Sequence, residues 1–210
     1  MVGGGIVPPF FRNTGERAIA SYSFTDVING IGYIDMYLMG TNNYAVGGGS
    51  PNYQLFTGNS LKAKPNYIEV GDAGGGGATT TTYIFSGSKL LTPMRVGGTA
   101  YLNYGFYKVV GDGTSCAFSG SIIVDNNGTK TILANYESGG VTTDKYLMTS
   151  QEIADTTIPA GAQIILSVHG TVTAGSSQTT YYVGADPSNS TLGTAPFSNS
   201  KMSLPIKLEL

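Results

Sequence analysis

Nearly every patterned stretch of this chain alternates with period two. The runs are "RAIASYSF" (17–24), "IGYIDMYLM" (31–39), "NYQLF" (52–56), "TTTYIFS" (80–86) and "KLLTPMRV" (89–96). "AYLNYGFYKVV" (100–110), "CAFSGSIIVD" (116–125), "TKTILANYES" (129–138) and "KYLMTS" (145–150) follow, then "AQIILSVHGTVTA" (162–174), "TTYYVGA" (179–185) and "SLPIKLEL" (203–210). Successive side chains of a strand point to opposite faces, so such runs bury one face and leave the other wet. Val, Ile, Thr, Tyr and Phe fill them, and Gly, Asn, Asp, Ser and Pro separate them, as strands require. Helical spacing is nearly absent. "SQEIADT" (150–156) alone fits a helical turn, with Ser150 as its cap, or else a loop or strand end. The pattern predicts an all-β chain, an antiparallel two-sheet sandwich of jelly-roll type.

Local detail sharpens this. Asp125-Asn126-Asn127-Gly128 sits between two runs, and Asn and Gly tolerate positive φ, so a tight hairpin is expected there. In the last run Leu204, Ile206, Leu208 and Leu210 share one face, with Lys207 and Glu209 on the other, which predicts a closing strand over 203–210. Ile122, Val124, Ile132, Ile165 and Val183 are the expected core residues.

The 210 residues suit one domain, and such a chain buries about 70% of its unfolded surface without disulfide or metal staples. The beginning departs from the strand pattern. "GGG" (3–5) and the diproline of "PPFF" (8–11) cannot join a sheet interior. Residues 1–15 are therefore expected to be an arm or tether, with Ile6, Val7, Phe10, Phe11 and Arg12 as its contact residues. Residues 16–210 form the single domain, with long Gly-rich loops around 41–80. The start shows no basic segment followed by an apolar one, so no secretory signal is expected, and no apolar run is long enough for a transmembrane helix.

Gly74–Gly77 leads into a β-branched run rather than a helix with Lys and Ser/Thr, so it reads as slack between strands and not as a phosphate loop. His169 is the only histidine and cannot build a multi-histidine metal site. Alternation puts it with Ser167 and Thr171 on a polar face. Cys116 shares the parity of Phe118 and reads as a small buried hydrophobe. Asp35 falls in line with Tyr33 and Tyr37, a row that suits a sugar platform, a subunit contact or a plain solvent face. Asp125, Asn126 and Asn127 do not have calcium-loop spacing. The expectation is no catalytic residue, no cofactor and no metal: a chain that is not an enzyme.

Charged residues are 11% of the chain, against about 25% in ordinary domains, and the formal net charge is −2. That leaves no basic field for nucleic acid. It suggests a surface covered by neighbours, a composition that glycan-binding modules share.

"IASYSFTDVINGIGYIDMYL", "TIPAGAQIILSV" and the closing "LPIKLEL" resemble virion structural proteins of tailed bacteriophages, of the head-decoration, head-fibre or tail-attached type. The resemblance is one of pattern over residues 17–210 and brings no functional motif. It implies a protein made in the host cytoplasm and built into the virion, with capsid or tail subunits as partners. It also implies a homo-oligomer, a trimer by analogy with fibres and spikes, and neither nucleic acid nor membrane as a partner. The alternative is a carbohydrate-binding jelly-roll module that attaches to a host glycan.

Overall fold

The structure is a computed structural model. It describes residues 20–21, 30–40, 53–57, 67–72, 78–110, 115–140, 145–173, 179–185 and 200–207. The expected arm, with Ile6, Val7, Phe10, Phe11 and Arg12, lies outside these residues, as do Leu208, Glu209 and Leu210.

Among the described residues every regular element is a strand. They are β1 (Ala20–Ser21), β2 (Ile31–Met39), β3 (Tyr53–Phe56), β4 (Tyr67–Asp72), β5 (Ala78–Lys89), β6 (Met94–Val110), β7 (Ser115–Asn126), β8 (Thr129–Glu137), β9 (Lys145–Ile158), β10 (Gln163–Thr173), β11 (Thr179–Gly184) and β12 (Lys201–Lys207). Residues 150–156 are thus the middle of a long strand, not a helical turn. Ile153 and Ile158 of β9 are buried while Glu152, Ala154 and Asp155 are exposed; pairing with β6 overrides the weak capping signal, and a register shift between Ile153 and Thr156 moves the buried side by one residue.

The all-β expectation holds, but the two-sheet arrangement is replaced by one continuous sheet. Hydrogen bonding runs β4-β11-β6-β12-β2-β3-β5-β10-β7-β8, with β1 on β2 and β9 on β6. The pairs are antiparallel except β3 with β5, which is parallel. Strand β6 is the splice. One edge pairs with β9 from Met94 to Phe106, and the other takes β12 and then β11. The path then rolls back on itself, and Thr149 Oγ1 of β9 donates to the carbonyl of Glu137 in β8 at 3.4 Å. The sheet is nearly closed, with the curvature of a barrel.

Its interior is filled by one hydrophobic cluster, in which Leu38, Phe85, Leu102, Tyr104, Phe118, Ile122, Leu166 and Leu204 are all at or near zero exposure. The layers meet closely where β4 crosses β10. A Cβ on Gly170 would come within 2.6 Å of Val70 Cγ1, so only glycine allows this approach.

Strand β12 lies in the middle of the sheet, and Met202, Leu204 and Ile206 are buried as the alternation requires. Pro205 cannot donate a ladder hydrogen bond, and the register against β6 shifts there: Ser203 faces Tyr101, but Ile206 faces Val96. The extra residues on β6 include Gly98, whose φ of +118° suits glycine.

The β7–β8 hairpin forms as expected. Asn127 and Gly128 have φ of 52° and 93°, and Asp125 Oδ1 accepts from the amide of Gly128 at 2.7 Å. Ile122, Val124 and Val183 are core residues, as expected. Ile132 is not: it is 57% exposed. A register shift between Ile122 and Ile123 adds a residue to β8, which puts Ile132 opposite Ile123 on the outer face. Ile165 is buried as well, as expected, at 5% exposure; it shares the row of Ile123 and Ile132, while Ile164 and Leu166 enter the main cluster.

Candidate functional site

Among the described residues, the outer face of β5, β10, β7 and β8 carries a set of linked polar side chains. Antiparallel register aligns its side chains in rows across four strands. Thr82, His169, Ser119 and Glu137 form one row. Ile84, Ser167, Ser121 and Asn135 form the next, and Ser86, Ile165, Ile123 and Ile132 the one after. Directly opposed side chains on such a face stand about 4.5–5.5 Å apart at Cβ, close enough to interact.

The rows are tied by side-chain hydrogen bonds. His169 Nδ1 pairs with Thr82 Oγ1 at 2.8 Å, and its Nε2 pairs with Ser167 Oγ at 2.9 Å. A neutral imidazole has one donor and one acceptor nitrogen, so one of these hydroxyls donates and the other accepts. Ser121 Oγ donates to Asn135 Oδ1 at 2.7 Å, and Thr80 and Thr171 share a bond of 2.8 Å. His169 therefore sits on the polar face that alternation assigns it. Its orienting partner is a threonine rather than a carboxylate, which is not the arrangement of a Ser-His-acid triad.

Beside His169 the face dips into a shallow hollow of about 440 Å³ lined by Ser119, Gly120, Ser121, Asn135, Tyr136, Glu137, Gln151 and His169. Tyr136 anchors its floor. The Tyr104 hydroxyl donates to the Tyr136 hydroxyl at 2.8 Å, and that hydroxyl donates to the Ser167 carbonyl at 2.7 Å. Burial pushes both phenols above their ordinary range, Tyr104 most strongly. Gly120 makes room for this chain. A Cβ there would lie 1.9 Å from the Ser167 carbonyl oxygen and 2.6 Å from the Tyr136 hydroxyl.

The other sequence candidates lie elsewhere. Cys116 is fully buried, and burial pushes its thiol up to about 12. Asp35 lies on the outer face of β2, where its carboxylate is engaged by Lys201 Nζ at 2.6 Å and by Ser203 Oγ at 2.5 Å. Tyr33 and Tyr101 meet beside it with ring centroids 5.8 Å apart and planes tilted by 47°, so they form no flat platform. Asp125 is used by the hairpin turn. No group of three or more His, Cys, Asp or Glu suited to a metal ion occurs among the described residues. No helix among the described residues is long and apolar enough to cross a membrane.

Sequence reasoning missed Glu137, Asn135 and Gln151. The signal was present in part: "ANYES" alternates Asn135 and Glu137 around buried Tyr136. Placing them beside His169 required the strand order β10-β7-β8, which alternation does not encode.

No family model matches the chain, and no curated protein matches it either. Solved structures do resemble it. An α-amino acid ester hydrolase superposes with a TM-score of 0.54 at 11% identity, over 83% of this chain and 36% of that one. An aminopeptidase from a marine sediment archaeon, Thaumarchaeota archaeon, gives 0.51 at 10% identity, over 85% and 37%. This chain spans little more than a third of either protein. Looser likenesses include a chain of infectious bursal disease virus, Gt strain (TM-score 0.33, 11% identity, 82% of this chain and 44% of that one). A family 16 carbohydrate-binding module is another (0.26, 15%, 72% and 82%).

These findings correct one expectation. The sequence reading sets the chain apart from enzymes, whereas two structures that share its fold at a TM-score above 0.5 are hydrolases. At 10–11% identity the likeness is one of fold.

Proposed function

We propose that this chain is a structural protein of a virus particle, of the decoration, head-fibre or tail-attached kind found in tailed phages, and that it binds neighbouring subunits. The observation that carries the reading is a patch of four isoleucines on the outer sheet face. Ile84 is 45% and Ile132 57% exposed and Ile123 is half-buried, while Ile165 between them is itself buried, at 5% exposure. A solvent face of an antiparallel sheet is normally polar. An aliphatic patch on one, in a chain with 11% charged residues, suits a surface that another subunit covers. Its occupant is a second copy of this chain, in a homo-oligomer taken as three-fold by analogy with fibres and spikes. Residues 1–15 serve as the tether to the shell or tail, with Ile6, Val7, Phe10, Phe11 and Arg12 as contacts.

Sedimentation of the free protein tests the reading. The intact chain sediments as an oligomer, and Ile84→Lys with Ile132→Lys sediments as a folded monomer. An intact chain that stays monomeric at high concentration refutes it. Removal of residues 2–15 should abolish incorporation into particles, and unchanged incorporation removes the tether.

A second reading, a carbohydrate-binding module that attaches to a host glycan, has one observation in its favour. The hollow beside His169 is lined mainly by hydroxyl, amide and carboxylate groups, the partners that sugar hydroxyls need.

A further inference from the structure

Resting on that second reading, we propose that the hollow between β10, β7 and β8 takes one uncharged hexose unit and excludes acidic sugars. Three features of the site lead there. The first is size. A volume of about 440 Å³ falls low in the range of roughly 300–1,000 Å³ of small-molecule sites, and the hollow is shallow, as suits one exposed unit of a longer chain.

The second is the balance of hydrogen-bonding groups. Ser119 can donate and accept, Ser121 can accept while its proton goes to Asn135 Oδ1, the Asn135 amide nitrogen donates, Gln151 supplies both donors and an acceptor, and the Glu137 carboxylate only accepts. A pair of neighbouring sugar hydroxyls presents two donors that one carboxylate accepts together, a charge-assisted and therefore strong arrangement. Glu137 stands opposite Ser119 in the register, and Ser119 opposite His169, so carboxylate, hydroxyl and imidazole line up across the mouth.

The third is the sign of the charge. Glu137 is the only formal charge in the lining, and no lysine or arginine lines it. The imidazole of His169 is held at both nitrogens by Thr82 and Ser167, so it is not turned toward a carboxylate ligand. A uronic or sialic acid would place like charge against Glu137 with no cation to offset it. The floor is rigid, because Tyr136 is fixed through Tyr104 and the Ser167 carbonyl, so the hollow is preorganised rather than formed around its ligand.

The test is NMR titration of the full chain, following the amides of Ser119, Ser121 and His169. The neutral probes are methyl α-D-mannopyranoside, methyl β-D-galactopyranoside and N-acetylglucosamine; the acidic ones are glucuronic acid and N-acetylneuraminic acid. At least one neutral probe should shift these three amides, at least about tenfold more tightly than either acid. Exposed Glu137 tolerates Glu137→Gln without unfolding, and that variant should weaken the neutral ligand about tenfold, the order expected for loss of a charged hydrogen bond. It should also narrow the gap to the acids, while Glu152→Gln, outside the hollow, changes neither. Acidic probes that bind as well as neutral ones overturn the charge selection and leave the glycan reading standing. If no saccharide shifts these amides at tens of millimolar, both fall.

Discussion

Replacing Gly120 with alanine should destabilise the fold severely, although it adds one methyl group. The new Cβ would stand 1.9 Å from the Ser167 carbonyl oxygen, 2.8 Å from its carbon and 2.6 Å from the Tyr136 hydroxyl, where real Cβ contacts are essentially never under 3.0 Å. Relief means moving β7 and β10 apart by about an ångström. Overpacking of this kind costs about 1–3 kcal/mol. The shift also breaks the buried chain from Tyr104 through Tyr136 to the Ser167 carbonyl, with about 1–3 kcal/mol for each buried group left unsatisfied. With one such group unsatisfied a loss of about 2–6 kcal/mol follows, a large part of the roughly 5–15 kcal/mol that holds a typical domain. Urea melts followed by tyrosine fluorescence measure it, since the chain has 14 tyrosines and no tryptophan. Two results separate the causes. Tyr136→Phe added to Gly120→Ala should restore little, because the backbone contact with Ser167 remains. A Gly120→Ala protein within 1 kcal/mol of the parent, with an unchanged denaturant slope, would refute the reasoning.

Other expectations are simpler to check. Ile122→Ala should cost about 2–5 kcal/mol in the same melts, and Ile132→Ala under about 1, because the first fills the core and the second faces outward. Stability should fall as pH rises above about 9, where the buried Cys116 thiol begins to cost, and more steeply above about 10, where the tyrosines add to it. Tyr104 and Tyr136 have folded-state pKa values raised above 10.0, so the folded chain holds those protons more tightly than the unfolded one. Thermal melts between pH 8 and 11 read this, and Tyr136→Phe should flatten the decline. Cys116, with its thiol pushed up to about 12, should resist a thiol reagent at pH 8 until denaturant is added.

Much of this architecture was legible because it is local. The Asp125–Gly128 turn follows from two residues that accept positive φ, and the buried faces of β7 and β12 follow from alternation alone. His169 and Cys116 fall on the faces that their parity assigns. Ile132 was misplaced because one extra residue in β8 inverts the faces beyond it, and a bulge leaves no composition signal. Ile165 is buried as expected, but "QIILSV" is apolar at consecutive positions, so period two does not phase which face it lies on. The parallel β3–β5 pair and the meeting of Glu137 with His169 depend on strand order, set by packing across the whole chain. The hydrolase likeness was invisible because it is a likeness of fold at 10–11% identity.

The central position of β12 has a consequence for how the molecule comes into being. Its partner β2 is made first, and Lys201 and Asp35, which join the two, are 166 residues apart. At roughly 5–20 residues per second a ribosome takes about 8–33 s to cover that interval. Throughout it β2 lacks the strand that will lie beside it, and so does β6 from the time it is made, so their edges are open to any other chain nearby. On a crowded polysome the nearest such chain is another unfinished copy. Yield of native protein should therefore be governed by the length of this wait, and slower translation past β6 should favour aggregates over folded product.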